Sequence, residues 1–284
     1  MVKKKETRKQ VRKAKVKKEK DWTQLWITPI TDNEVTDLNY YDDHMYMTNS
    51  TLKMFIDKCP RAFQHILNNP IKATAPMKFG TAFHMLVLED KQFSKHYLVE
   101  PDSIDKRTTI GKATLQKFNE SLNGREAVSY KDFSLMQGMN AHLKASKHYS
   151  LLENCNQFEK IYLWNNDTLK IKCKGKIDAI NTIDKYIVDL KTTRDASPKV
   201  FKETIVNQKY HMQAAFYCDA LGYKDYYIYA IEKTKPYCIC VYKMSEDMLK
   251  AGRLMYTQAI IDYKAYVHGG ELPQDYNEEQ IYEI

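Results

Sequence analysis

Two aspartates and a lysine lie at matching positions in neighbouring predicted strands. Asp178 belongs to the strand predicted for residues 169–180, and Asp189 and Lys191 belong to the strand predicted for residues 186–191. A hairpin that turns between Ile183 and Asp184 would place Asp178 directly opposite Asp189, with their Cβ atoms about 5 Å apart. Because side chains alternate along a strand, Lys191 would lie on the same face as Asp189.

Two opposed carboxylates repel each other unless a cation lies between them. Hard oxygen donors suit Mg²⁺ or Mn²⁺, which keep water ligands and accept phosphate oxygens. A lysine beside such an ion could hold or deprotonate an attacking water and offset the charge of a phosphoryl transition state. The alternative is a surface hairpin in which Asp189 and Lys191 form a weak ion pair. Spacing alone favours neither interpretation.

Two further features could belong to the same site. Tyr210, Gln213 and Tyr217 fall on one stripe of the helix predicted after the hairpin. If that helix crosses the sheet, Gln213 and Tyr217 lie over the carboxylates, although the spacing alone fits an ordinary amphipathic stripe better. His84 lies in an apolar segment, where a buried histidine is more often a satisfied core residue than a metal ligand.

The elements around these residues indicate an α/β fold built on a central sheet. Helices are predicted from residue 48, over 78–89 as a buried helix, over 131–152, over 207–221 and from about 247 to 266; strands are predicted over 158–164, 169–180, 186–191, 226–232 and 237–243. Residues 101–125 are predicted to form a loop and a short helix. Without a repeat or linker between residues 48 and 268, we expect one domain over residues 21–284.

The composition excludes several classes of protein. Hydrophobic residues make up 43% of the chain and aromatic residues 12%, which is enough for a core and excludes wholesale disorder. No apolar run approaches the ~20 residues of a membrane span, and no apolar signal segment follows the basic start. We therefore expect a cytoplasmic protein with no membrane partner and with reduced cysteines, of which Cys238 and Cys240 should be buried packing residues.

The positive charge is concentrated at one end of the chain. The formal net charge is +8, yet residues 1–20 contain eleven basic and two acidic side chains, which leaves 33 basic and 34 acidic side chains for the other 264 residues. The sequence therefore predicts a basic, disordered arm over residues 1–20 and a nearly neutral body.

The chemistry-bearing residues resemble the motifs of the PD-(D/E)XK nucleases, and within them the phage exodeoxyribonuclease VIII (RecE-type) branch. Four motifs of that branch occur in order: F-G-T-A-F-H at residues 79–84, G-K-I-D at 175–178, D-L-K at 189–191 and Q-A-A-F-Y at 213–217. The segment T-N-S-T-L at 48–52 and the pair Cys59-Pro60 are similar to the opening helix of the family. One departure is Asp189, where glutamate is commoner.

The resemblance implies a restriction-endonuclease-like core, in which helices flank a central mixed β-sheet and a helical N-terminal part comes first. It implies that Mg²⁺ is the cofactor, with Mn²⁺ as a substitute, and that the ligands are His84, Asp178, Asp189 and the Leu190 carbonyl. Lys191 would position and activate the water, and Gln213 and Tyr217 would help to hold the DNA end. Glu159 is a further candidate carboxylate. Because only Cys59 precedes His84 and no cysteine trio lies near the C-terminus, we expect no Fe–S cluster.

The implied activity is digestion of linear double-stranded DNA from its ends, 5′ to 3′, leaving a 3′ single strand for phage-type homologous recombination. The implied partners are DNA ends, a single-strand annealing (RecT-type) protein and further copies of the chain in a ring. Lys106, Arg107 and Lys112 are candidates for phosphate contacts, with a solvated loop as the alternative. The rival functions are a Cas4-like or restriction-type nuclease and a catalytically silent DNA-binding protein of the same fold.

Deletion of residues 1–20 should weaken DNA binding, most strongly at low salt, because attraction between basic side chains and phosphates is electrostatic. Turnover at saturating DNA should not change, since none of the predicted site residues lies in the arm. Fluorescence anisotropy at two salt concentrations and initial rates with excess DNA would check both expectations. Loss of turnover would contradict the assignment of the arm.

Overall fold

The computed structural model describes residues 27–29, 46–105, 107–269, 275–276 and 283. The predicted basic arm, residues 1–20, and Lys106 lie outside the described residues. Strands are β1 (Ile27–Pro29), β2 (Tyr97–Val99), β3 (Glu126–Val128), β4 (Gln157–Asn166), β5 (Ile171–Asn181), β6 (Tyr186–Thr193), β7 (Asp225–Glu232) and β8 (Ile239–Lys243). Helices are α1 (Asn49–Asp57), α2 (Pro60–Asn68), α3 (Ala75–Leu88), α4 (Asp90–His96), α5 (Thr109–Glu120), α6 (Tyr130–Lys144), α7 (Tyr149–Glu153), α8 (Pro198–Asn207), α9 (Tyr210–Leu221) and α10 (Glu246–Gly269).

A mixed sheet lies at the centre of the fold. Five strands follow the order β4-β5-β6-β7-β8, and the short β1 pairs with the outer edge of β4. β6 and β7 run parallel, whereas the other neighbouring strands in this sheet are antiparallel. β2 and β3 form a separate two-stranded parallel sheet. The predicted central mixed sheet, preceded by a helical N-terminal part, is confirmed.

Helices cover both faces of the sheet, and each face has its own hydrophobic core. The core on one face combines the sheet with side chains from α1, α8, α9 and α10, among them Leu52, Phe201, Phe216 and Tyr256. The core on the other face combines the sheet with side chains from α3, α4, α6 and α7, among them Phe83, Phe93, Met136 and Leu152. Because both faces are covered, a polar side chain of β5 or β6 that is buried in a core needs a partner within the fold.

Local sequence signals set several helix ends. The hydroxyl of Thr48 accepts a hydrogen bond from the Thr51 amide (3.0 Å) and caps α1, as the sequence predicts. Pro60 is the first residue of α2, where its missing N–H has no helical partner to lose. Gly222, with φ of +67°, ends α9 at the predicted position.

The hairpin between β5 and β6 has the predicted register. Ala179 pairs with Val188, Ile180 with Ile187 and Asn181 with Tyr186. The Asn181 side-chain carbonyl accepts hydrogen bonds from the amides of Ile183 and Asp184 and so organises the turn. The ladder stops at Ala179 and Val188, immediately before Asp178 and Asp189, so the two strands part at the residues of chemical interest.

Several elements differ from the sequence prediction. α3 is only partly buried, because one side of it, Ala82 and Phe83, packs on the core while the rest is half-buried or exposed. The helix predicted over 131–152 is interrupted after Lys144, and α7 begins at Tyr149. α8 is absent from the predicted elements, although Ser197 followed by a proline is a helix-start signal. Cys238 is exposed and Cys240 is only half-buried, so the prediction that both are buried is wrong.

None of the described helices is both long and apolar enough to cross a membrane.

Alanine in place of Gly252 should lower the free energy of unfolding by about 1–3 kcal/mol, the usual cost of overpacking. A Cβ at this position in α10 would lie 2.1 Å from the backbone carbonyl oxygen of His211 in α9, so the helices would have to move apart. Urea denaturation would measure the change. Gly80→Ala is the matched control, since its Cβ meets nothing within 4 Å; equal stability of the two variants would contradict the close contact.

Candidate active site

Three carboxylates lie in a row across β4, β5 and β6. On β4, Phe158 pairs with Ala179 and Lys160 with Ile177, so Glu159 lies opposite Asp178. Asp178 and Asp189 are the next residues of β5 and β6 beyond the Ala179–Val188 pair, where the ladder ends. Glu159 has a φ of +47°, a left-handed conformation that non-glycine residues rarely adopt and that redirects its side chain out of the regular pleat.

His84 closes this row from the side of α3. Its Nδ1 lies 3.5 Å from Asp178 Oδ2 and 3.6 Å from Glu159 Oε1. Its Nε2 lies 2.9 Å from the carbonyl oxygen of Leu190. The amide of Leu190 donates to Asp178 Oδ2 (2.9 Å), which takes the place of the missing ladder bond between β5 and β6.

His84, Glu159 and Asp178 are the described residues that could hold a metal ion together. One nitrogen or oxygen atom from each lies within 4.8 Å of the others. Glu159 Oε1 is buried and accepts no hydrogen bond from the described residues, so a positive ligand would satisfy it. One imidazole and two carboxylates are donors that divalent cations such as Mn²⁺ and Mg²⁺ accept. The residues present therefore fit a divalent metal ion.

Asp189 has other partners in this structure. Lys191 Nζ donates to its Oδ1 at 2.8 Å and lies 2.8 Å from Oδ2. Gln213 Nε2 donates to Oδ1 at 2.6 Å and also donates to the hydroxyl of Tyr226 at 3.1 Å. Asp189 is thus outside the His84 cluster, and the Leu190 carbonyl faces His84. Their predicted roles as metal ligands stay predictions.

The stripe on α9 crosses the sheet beside these groups. Tyr210 presents its ring to Lys191, whose Nζ lies 5.0 Å from the ring centroid. Gln213 meets Asp189, and Tyr217 packs against β5 at Gly175. A Cβ on Gly175 would lie 2.5 Å from the Tyr217 ring, so glycine is needed for this close approach. The stripe therefore faces the site, and Gln213 is its member bonded to a carboxylate.

Mutual interactions shift the pKa values of these groups. Burial alone would lower the pKa of His84, but the carboxylates of Asp178 and Glu159 outweigh it and raise the pKa to about 9. Burial raises the pKa of Asp178 to about 6, helped by the charges of Asp189 and Glu159 and opposed by His84 and Lys191. The metal-free site therefore holds protons that a metal ion would displace.

The two lysines of the site stay tied to carboxylates. Burial would lower the pKa of Lys191, but the carboxylates of Asp189 and Asp178 outweigh it and raise the pKa, so the group is an ammonium ion. Lys176 Nζ lies 3.2 Å from Glu159 Oε2 and, despite the effect of burial, helps His84 to lower the pKa of Glu159.

The structure does not bring the predicted phosphate-contact residues together with the site. The Arg107 side chain is exposed and its Nε donates to Asp105 Oδ1 at 3.0 Å. Lys112 is exposed on α5. Lys106 lies outside the described residues. A role in DNA binding for these three residues stays a prediction.

Sequence reasoning missed two residues of the site. Lys176 lies two positions before Asp178 on β5, which is the spacing that could have indicated a shared face. Tyr226 lies on β7, and its position in an alternating apolar strand predicts only a core residue.

A sequence model of the family described as "PDDEXK-like domain of unknown function (DUF3799)" matches residues 48–281. A solved structure from Eubacterium rectale, named "Putative exonuclease", covers 85% of this chain and 90% of its own, with 16% identity and a TM-score of 0.63. Another, SSO0001, covers 82% of this chain and 80% of its own at 12% identity, and its TM-score of 0.34 is too low to bear on the fold. No curated protein matches the chain.

Binding of Mn²⁺ to the metal-free protein at pH 7.5 should release about one proton, because a metal ligand must be a neutral imidazole and His84 carries a proton below about pH 9. The apparent affinity should therefore rise with pH up to about 9. Calorimetry in buffers of different ionisation enthalpy would count the protons. His84→Gln should abolish the release, and an affinity independent of pH from 6.5 to 9 would contradict the assignment.

Proposed function

Because the chain belongs to the family of PDDEXK-like domains, we propose that it is a metal-dependent nuclease that digests linear double-stranded DNA from its ends. The observation that carries the proposal is the site itself: a histidine and two carboxylates that fit a divalent cation, beside an aspartate–lysine pair. Such an arrangement suits hydrolysis of a phosphodiester better than it suits a purely structural role.

His84, Glu159 and Asp178 would hold Mg²⁺, and Asp189 and the Leu190 carbonyl are further candidate ligands. When bound, the ion supplies charge that lowers the pKa of a water molecule and neutralises the scissile phosphate. Asp178 is already oriented by the Leu190 amide, and His84 by the Leu190 carbonyl. These contacts fix the donors before the metal arrives, which reduces the cost of binding.

Lys191 would orient the attacking water and donate to the non-bridging phosphate oxygens. Because its raised pKa keeps it an ammonium ion, it acts as a donor and a positive charge, and a base role is disfavoured. Asp189 holds Lys191 through a contact of 2.8 Å, and Gln213 holds Asp189. Tyr217 lies one turn after Gln213 on α9, and the two side chains would contact the DNA end together.

The finer details of the proposal follow the motif pattern. They are 5′-to-3′ digestion with Mg²⁺, a 3′ single-stranded product for phage-type recombination, a ring of identical chains, and a single-strand annealing partner of RecT type. The name of the Eubacterium rectale protein, "Putative exonuclease", agrees with digestion from DNA ends. A restriction-type enzyme would instead cleave closed circular duplex.

Lys191→Ala should slow release of an end label from linear duplex by about 100-fold or more, the usual loss when a charge that stabilises the transition state is removed. Lys243→Ala is the matched control. Its Nζ also lies 2.8 Å from an aspartate, Asp225, but this pair lies at the opposite end of the β6–β7 ladder from Lys191. The control should keep the wild-type rate.

Three outcomes would count against the assignment. Equal rates for Lys191→Ala and the wild type would remove Lys191 from the chemistry. An inactive wild type with Mg²⁺ or Mn²⁺ would favour a silent DNA-binding protein, and cleavage of closed circles would favour a restriction-type enzyme. Duplexes blocked at the 5′ or the 3′ end would test the polarity.

A further inference from the structure

Tyr226 lies in the hydrophobic core, next to the Gln213 amide that bonds Asp189. It is on β7, 1% of its surface is exposed, and its hydroxyl lies 3.1 Å from Gln213 Nε2. Burial raises its pKa well above the ordinary value, and the charges of Asp189 and Asp178 raise it further. The phenol therefore stays neutral, so it can accept or donate a hydrogen bond but cannot act as an acid or a base near neutral pH.

The Gln213 amide has little choice of orientation. The carboxylate of Asp189 only accepts hydrogen bonds, so the amide must present its Nε2 hydrogens and not its carbonyl oxygen. One of those hydrogens goes to Asp189. The second goes to the hydroxyl oxygen of Tyr226, which is buried in the core. A buried N–H left without a partner is costly, so removal of the hydroxyl would favour rotation of the amide away from Asp189.

Rotation of Gln213 would leave Asp189 held mainly by Lys191. The Asp189 carboxylate is 2% exposed and bonds Gln213 at 2.6 Å and Lys191 at 2.8 Å. Without the amide the carboxylate and the ammonium group can move together, and Lys191 loses its fixed place relative to Asp178. Tyr226 thus lies at the far end of a chain of contacts whose other end is the lysine of the proposed reaction.

We propose that Tyr226 is a positioning residue that fixes the Gln213 amide and, through Asp189, the ammonium group of Lys191. This inference rests on the proposed nuclease function and adds a residue that lies outside the four sequence motifs. Tyr226 is connected to Asp189 through Gln213, whose Nε2 donates to both.

Tyr226→Phe should lower kcat about tenfold, the factor that corresponds to loss of one buried hydrogen bond. Tyr229→Phe is the matched control. Tyr229 lies on the same strand, is fully buried and donates its hydroxyl to the backbone carbonyl of His148, within the core on the other face of the sheet. It should lose similar stability and keep the wild-type kcat.

A double-mutant cycle separates positioning from a general loss of stability. In a Gln213→Ala background, Tyr226→Phe should lower kcat by less than about twofold, because the contact through which it acts is gone. An equal drop in both backgrounds, or a wild-type kcat for Tyr226→Phe, would overturn the inference while the nuclease function stands. An inactive wild-type protein would overturn the proposed function, and this inference with it.

Discussion

Repulsion among three carboxylates on adjacent strands is the constraint on which the site depends. Glu159, Asp178 and Asp189 lie on adjacent strands, and like charges placed opposite each other in a sheet are destabilising. Each acid is accordingly given a compensating group: Lys176 for Glu159, His84 and the Leu190 amide for Asp178, and Lys191 with Gln213 for Asp189. The helices and strands around the three carboxylates place these compensating groups beside them.

The compensation is local and incomplete. One oxygen of Asp189 accepts from a lysine and an amide, but its Oδ2 and the Oε1 of Glu159 accept no hydrogen bond from the described part of the chain. His84 carries a proton that balances charge only while no metal is present. A divalent cation at this site would replace the His84 proton and could bind the Glu159 oxygen that accepts no hydrogen bond. The hydrophobic cores on the two faces of the sheet hold the strands that carry these residues.

The sequence predicts the hairpin well and its surroundings less well. The register from Asp178 to Asp189 follows from the turn and the alternating pattern, both of which are local. Glu159 joins the cluster from a left-handed conformation in β4, and nothing in the sequence indicates that conformation because non-glycine residues rarely adopt it. Tyr226 has no distinguishing pattern, because it becomes relevant only when α9 packs across β7. The start of α8 is indicated locally by Ser197 followed by Pro198, which is a common helix-start pattern.

Leu190 contributes to the candidate site through its peptide group. Its amide bonds Asp178 and its carbonyl faces His84, while its side chain is fully buried in the core with Val188 and Tyr229. The peptide group that serves the site is common to every non-proline residue, and the side chain needs only to fill an apolar space. Valine, isoleucine or methionine could therefore stand here, whereas proline would delete the amide that orients Asp178. At this position the main chain serves the candidate site, and the side chain serves only the core.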